Sequence, residues 1–309
     1  MAARRALACV VLVTALVGCG TPSPGPGAAT PAPDWPRLDP CSLLAPGALD
    51  RFGTAAPASA PNFDDCRVDL RNGVGELAVT LGSGGRLAQE HETEALGFEL
   101  VDRGGYRVGR PRAVADSCGT AVVLPDLRYV TVDVSGEDAQ LCAVTETAAE
   151  SVRSVLRAGA TRTRPYPANS LAGLDPCPLV PPELPARVPG IEARAPSGDG
   201  NRHVCLWGGR HADSPAVQVS FTVVDPESPP PTTIPVTAER IAGRDSLVRA
   251  QPASGGRLPS CRVDSRHIPF GAGTLENARV LIYSASPAEG SCPLAREVAA
   301  AVWARLPAP

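Results

Sequence analysis

The chain contains no lysine; all 29 of its basic residues are arginine. It has one methionine, four histidines and few aromatic residues, 4% of the total. Each shortage excludes some chemistry. Without lysine there is no phosphate-loop lysine, no Schiff-base amine and no Ser-x-x-Lys acyl-transfer centre. Trp35, Trp207 and Trp303 are too scattered to suggest a sugar-stacking surface. The formal charge is −3, and no basic stripe is interleaved with aromatics, so nucleic acid is not an expected partner. Arginine in place of lysine, with abundant Ala, Gly and Pro, is the composition of GC-rich coding and needs no functional cause. What is present in quantity is length: 309 residues, enough for two ordinary domains.

The first residues set the compartment. Arg4 and Arg5 precede an apolar run over residues 6–17, which is too short to span a bilayer as a helix. Charge, short apolar core and small residue together read as a secretory signal over residues 1–18. Across its end, Leu16-Val17-Gly18-Cys19 resembles the bacterial lipobox. That resemblance implies cleavage before Cys19 and a diacylglyceryl group on its sulfur, anchoring the mature chain to the membrane through acyl chains. Cleavage removes Arg4 and Arg5 and no acid, taking the formal charge from −3 to −5. Residues 19–35 carry the lipidated cysteine and a tether. Residues 20–34 contain five prolines and no apolar periodicity, as expected of an extended spacer.

Eight cysteines remain after Cys9 and Cys19, an even number that favours disulfides in an exported chain. No Cys-x-x-Cys pair accompanies them, so neither zinc nor a redox motif is indicated. They fall into two sets of four, because the chain repeats itself. Leu38-Asp39-Pro40-Cys41 recurs as Leu174-Asp175-Pro176-Cys177. At the far end of each half, Val144, Ala148, Val152 and Leu156 stand at the same offsets from Cys142 as Leu294, Val298, Val302 and Leu306 do from Cys292. Each set is one stripe of an amphipathic helix. The reading is a duplicated module: residues 36–158, a linker at 159–170, and residues 171–309. Four cysteines allow three connectivities per half. The sequential one is favoured, Cys41–Cys66, Cys118–Cys142, Cys177–Cys205 and Cys261–Cys292, with crossed pairings open. Cys66-Arg67-Val68-Asp69 also matches Cys261-Arg262-Val263-Asp264, but that register leaves too little chain after Cys261 for a domain, so it is read as coincidence between two strands.

The expected fold class is α+β, with an antiparallel sheet in each half, a short opening helix and a closing amphipathic helix. In the first half a helix is expected over 46–52, started by proline and stopped by Gly53. Strands are expected at 76–81, 121–124 and 129–134, a helix at 86–96, and the closing helix at 139–157. In the second half, strands are expected at 217–223 and 280–283. The proline-rich stretch 225–235 suggests that the counterpart of the 86–96 helix is lost there.

The Asp-Pro-Cys-x-Leu-Leu opening at Asp39–Leu44, with the lipobox, the tether and Cys205-Leu206-Trp207, resembles an uncharacterised lipoprotein family of high-GC Gram-positive bacteria. Cys66-Arg67-Val68 departs from the family's Cys-x-Trp. The resemblance implies a location and a fold type, not a reaction. A more distant likeness is to the disulfide-bearing extracellular sensor modules of bacterial Ser/Thr kinases, an analogy of fold only.

Catalytic signatures fail one by one. His91-Glu92-Thr93-Glu94-Ala95 begins like a zinc-protease helix but has Ala95 where a second histidine is needed. His203 and His211, eight residues apart, make a weak metal pair. Gly82-Ser83-Gly84 lacks the glycine a nucleophile elbow needs before it. Segments 133–138 and 199–201 lack calcium-loop spacing. No catalytic residue, metal site or cofactor is assigned. The expected function is a non-enzymatic, lipid-anchored sensor or accessory module on the outer face of the cell membrane. It would bind an envelope component or a protein, with the cleft between the halves as the natural ligand site. A cell-wall hydrolase using paired carboxylates and a scaffolding lipoprotein are the alternatives.

Overall fold

The structure, a computed structural model, describes residues 33–87, 96–191, 196–198, 201–209, 211–226, 234–271, 273–286 and 288–309. The first half begins with β1 (Thr54–Ala55), β2 (Asp65–Arg71), β3 (Glu76–Arg86), β4 (Leu100–Asp102) and β5 (Arg107–Gly109). It continues with β6 (Arg112–Val114), β7 (Ser117–Val123), β8 (Arg128–Gly136) and the helix α1 (Leu141–Ala158). The second half has β9 (Ser197–Gly198), β10 (Val204–Gly208), β11 (Ala216–Val224) and β12 (Val236–Ile241). Then follow β13 (Arg244–Gln251), β14 (Ser260–Gly271), β15 (Thr274–Tyr283) and the helix α2 (Ala288–Trp303). Each half forms its own antiparallel sheet. The orders are β1-β2-β3-β8-β7-β5-β4, with β6 beside β7, and β9-β10-β11-β15-β14-β13-β12.

The two orders are the same, and so is the register. Cys66, Leu81, Val132 and Thr120 form one row across β2, β3, β8 and β7. Cys205, Val219, Val280 and Val263 form the matching row across β10, β11, β15 and β14. Cys118 and Cys261 both lie two residues before that row. Cys66 therefore corresponds to Cys205, not to Cys261, and the two Cys-Arg-Val-Asp stretches lie on strands that are not counterparts. What they share is local: residues i and i+2 lie on one strand face. Arg67 Nε accordingly pairs with Asp69 Oδ1 at 2.9 Å, and Arg262 Nε with Asp264 Oδ2 at 2.5 Å.

Each sheet buries one face against its closing helix. In α1, Val144, Ala148, Val152 and Leu156 are buried among Val79, Val122, Val132 and Val134. The helix ends on Gly159, whose φ of +62° lets its N–H and that of Ala160 bond back to Leu156 and Val155. In α2, Val298 and Val302 pack with Val263, Val280 and Trp303, Leu294 is partly buried, and Leu306 packs just beyond the helix end. Pro293 directly follows Cys292, as Ala143 follows Cys142, but it lies inside α2, which begins five residues before it at Ala288.

The disulfides join Cys41 to Cys66, Cys118 to Cys142, Cys177 to Cys205 and Cys261 to Cys292, with Cα–Cα distances of 4.9 to 5.2 Å. The opening motif explains the first bond of each half. Asp39 Oδ1 accepts the Cys41 N–H at 3.2 Å, and Asp175 Oδ1 accepts the Cys177 N–H at 2.9 Å. The aspartate turns the chain, the proline pre-sets φ, and the cysteine is delivered to its strand. The second bond of the first half fixes a helix start that lacks a side-chain cap, since the Gln140 side chain makes no capping hydrogen bond.

Several expected elements differ. No opening α-helix spans 46–52: tight three-residue-turn helices occupy Pro40–Leu43 and Asp50–Phe52, because Gly47 takes φ +73° between them. The second half opens in the same way, at Leu171–Gly173, Cys177–Leu179 and Pro185–Arg187. The strand expected at 76–81 runs on to Arg86, the first residue of the helix expected at 86–96. Residues 88–95 of that helix, including His91, lie outside the described residues, as do 1–32, 199–200 and 227–233. Replacing Cys118 and Cys142 together by alanine removes a closed loop of 24 residues and should cost about 3 kcal/mol in urea unfolding. A loss under 1 kcal/mol would show that α1 holds its place without the bond.

Candidate functional site

Two polar assemblies stand out, one at the seam of the halves and one on the second sheet. The seam is built from the segment before β2. Phe63 is buried in the core of the second half, edge-on to Phe270 at 5.2 Å and to Tyr166 at 6.1 Å. Its neighbour Asp64 places both carboxylate oxygens 2.9 Å from His203 Nδ1. His203 Nε2 lies 2.9 Å from the Ala172 carbonyl. Both ring nitrogens thus face acceptors, an arrangement only the doubly protonated ring satisfies in full. Asn201 Nδ2 donates to Asp64 Oδ1 at 2.6 Å and to Ser83 Oγ at 3.2 Å. Nearby, Glu276 accepts from Ser170 Oγ at 2.5 Å and Leu171 N–H at 2.7 Å, and burial holds its carboxyl above the usual range. The linker is tied down too. Thr163 bridges Leu38, and Arg164 Nη2 reaches Asp39 Oδ1 at 3.2 Å. Burial pushes the Tyr166 hydroxyl up to about 12.

The cleft expected between the halves is therefore filled with side chains at this seam. Recesses of about 1420, 820 and 640 Å³ are each lined within a single half. His203, considered as a metal ligand, is instead held between the Asp64 carboxylate and the Ala172 carbonyl. His211 lies past the far end of β10, so the two histidines are not brought together. Among the described residues no group of three His, Cys, Asp or Glu is placed to hold a metal ion. Trp35, Trp207 and Trp303 are all buried core residues.

The second assembly lies on the face of the second sheet turned away from α2. Cys261 and Val263 point into the core, so by alternation Arg262 and Asp264 point outward. Asp264 is only 5% exposed. It takes Arg262 Nε at 2.5 Å and Nη2 at 2.9 Å, Arg279 Nε at 3.0 Å and Asn277 Nδ2 at 3.0 Å. Burial would raise its carboxyl, but the two guanidiniums outweigh burial and hold it below the usual range. Arg249 lies directly across from Arg262. Burial, reinforced by the surrounding arginines, pulls its guanidinium down.

The first sheet's corresponding face is different. There Asp65 and Asp133 are both held above the usual range by burial, with Asp64 adding to the rise at Asp65. They are the natural candidates for paired carboxylates. Two strand spacings and two residues of rise put their Cα atoms about 12 Å apart, wide for a pair that must flank one bond.

Sequence reasoning missed Phe63, Asp64, Asn201, Arg249 and Arg279. The one available signal was the Arg-x-Asp alternation at Arg262 and Asp264.

Removing the Asp64 side chain (Asp64→Ala) leaves His203 and Asn201 without their shared acceptor. It should cost about 3 kcal/mol in thermal or urea unfolding; an unchanged midpoint would mean the seam pair contributes nothing. Asp264 gives a pH test. Its folded value lies below its unfolded one, so its stabilisation is present above about pH 4 and is lost as pH falls through the folded value. Asp264→Asn should be less stable at pH 7 and show a flatter acid limb, whereas a parallel shift at every pH would contradict this sign.

No family model matches the chain, and no curated protein matches it. Among solved structures it is similar to the di-domain ARO/CYC StfQ from the steffimycin biosynthetic pathway, at 12% identity, covering 87% of this chain and 95% of that one with a TM-score of 0.16. It is also similar to the di-domain ARO/CYC BexL from the BE-7585A biosynthetic pathway, at 9% identity, covering 76% and 79% of the two chains with a TM-score of 0.14. Likeness at this level brings neither a family nor an activity to this chain.

Proposed function

We propose that the chain is a lipid-anchored, non-enzymatic binding module of the bacterial cell envelope, built from two copies of one disulfide-bearing α+β unit. The observation that carries this reading is the set of four disulfides. Such bonds persist in oxidising compartments and are rare where thiols are kept reduced. The leader ending in Cys19 supports the same compartment and supplies the anchor. Among the described residues no helix is long and apolar enough to cross a membrane, and on this reading the acyl chains on Cys19 hold the protein there. The tether over 20–34 separates the folded part from the bilayer. Binding then belongs to the polar faces of the two sheets, which the closing helices leave uncovered.

Replacing Cys19 by serine tests the anchor. The wild-type chain should partition with membranes and into detergent, and Cys19→Ser should move to the soluble or secreted fraction. Blocking lipoprotein signal peptidase should leave a precursor longer by residues 1–18. Membrane retention of Cys19→Ser, or an unchanged size under the block, would overturn the lipoprotein reading.

A further inference from the structure

We infer that the polar face of the second sheet binds a phosphate monoester, with Arg249, Arg262 and Arg279 as its cations and Asp264 as the anchor that orients them. The inference deepens the binding-module reading by naming a ligand class, and it rests on that reading for its biological setting.

The argument begins with charge. Three guanidiniums surround one carboxylate, leaving two positive charges uncompensated within the cluster. Asp264 occupies Arg262 through two donors and Arg279 through one. Arg249 is different: its Nε is buried and has no hydrogen-bond partner among the described residues. A buried guanidinium N–H left unpaired is costly, and an anion arriving on this face would satisfy it. Two more buried groups on the same face lack partners among the described residues, Ser220 Oγ and Thr222 Oγ1. Ser220 lies directly opposite Arg279, and Thr222 opposite Asn277. Ser220 and Thr222 thus border the cluster at Arg279, and Arg249 borders it on the opposite side, on β13.

Register supplies an independent observation. Counting from the equivalent Cys118 and Cys261, the first-sheet counterparts of Arg262, Asp264 and Arg279 are Gly119, Ala121 and Thr131, and that of Ser220 is Gly82. The same scaffold positions are small and uncharged in one half and form a cation cluster in the other. The core does not require the cluster, because these positions point away from it. A recess of about 1420 Å³ reaches this face at Arg249, Arg262, Arg266, Asp264 and Asn277 and extends to Trp303 and Leu306 at the end of α2, with Arg279 outside its lining. It has room for a phosphate and the group that carries it. A phosphate monoester has a charge near −2 and three free oxygens, matching both the excess charge and the several donors; a carboxylate offers one charge and two oxygens.

The test is titration calorimetry on the full mature chain in detergent, with inorganic phosphate, glycerol 3-phosphate and glycerate as probes. Saturable binding of both phosphates is expected, weakening as salt rises. Glycerate should bind at least about tenfold less tightly. Arg249→Ala, which breaks no ion pair among the described residues, should lower phosphate affinity about tenfold or more, and Arg249→Lys should recover only part of it. Arg67→Ala, on the first sheet, should change nothing. Vesicles of phosphatidic acid against phosphatidylcholine separate the sources: Arg249-dependent vesicle binding identifies a lipid headgroup, and binding of soluble esters alone identifies a free ligand. No saturable phosphate binding, equal affinity for glycerate, or an unaltered Arg249→Ala would overturn the inference. A chain that binds phosphate but is not lipidated at Cys19 would overturn the anchor alone, so the two readings fail separately.

Discussion

Phe63 and Asp64 belong to the first half by sequence and to the second by packing. The ring fills a place in the second core, and the carboxylate beside it meets a histidine that is almost wholly buried. A buried charge needs a partner, and a buried aromatic needs a cavity of its own shape, so each residue fixes the other's position. The consequences spread outward. The linker is held against the opening of the first half through Asp39 and Leu38, and Ser170 and Leu171 at its end are held by Glu276 from the second sheet. Two units that each have a sheet, a helix and a core are joined by side chains that neither can satisfy alone.

That joint decides where a ligand can go. A pair of similar units invites the idea of a cleft, but the seam is spent on packing and hydrogen bonds. What remains are the two sheet faces that the closing helices do not cover. They share a register residue for residue, yet one is small and acidic at its centre and the other gathers arginines around Asp264. The proposed phosphate site lies on the face where the two units differ, because what they share is already explained by folding.

The legible parts of this fold were those with a periodic or repeated signal. The helix stripes of α1 and α2 and the alternating β8 and β11 could be read directly, since one face of each is buried. The Asp-Pro-Cys turns could be located, although their hydrogen bonds could not. Misreadings had local causes. Pro46 and Gly53 bracket a plausible helix, but Gly47 breaks it with a positive φ. The β12–β13 hairpin was hidden because its two-residue turn is Ala242-Gly243, without the usual asparagine or aspartate, and its strands mix charge into both faces. The seam was invisible because Asp64 lies 137 and 139 residues from Asn201 and His203, and all three are ordinary in type. The arginine cluster was half visible: Arg262 and Asp264 alternate as strand residues do, but Arg249 and Arg279 join them only through cross-strand register.

The central claim is that the two halves are one body held by the seam. It is tested most directly by labelling the tryptophans with fluorine and following their resonances through urea with the disulfides intact. Trp35 reports on the first core, and Trp207 and Trp303 on the second. The account predicts that all three resonances lose intensity at a common midpoint. Separate midpoints for Trp35 and for the other two would contradict it.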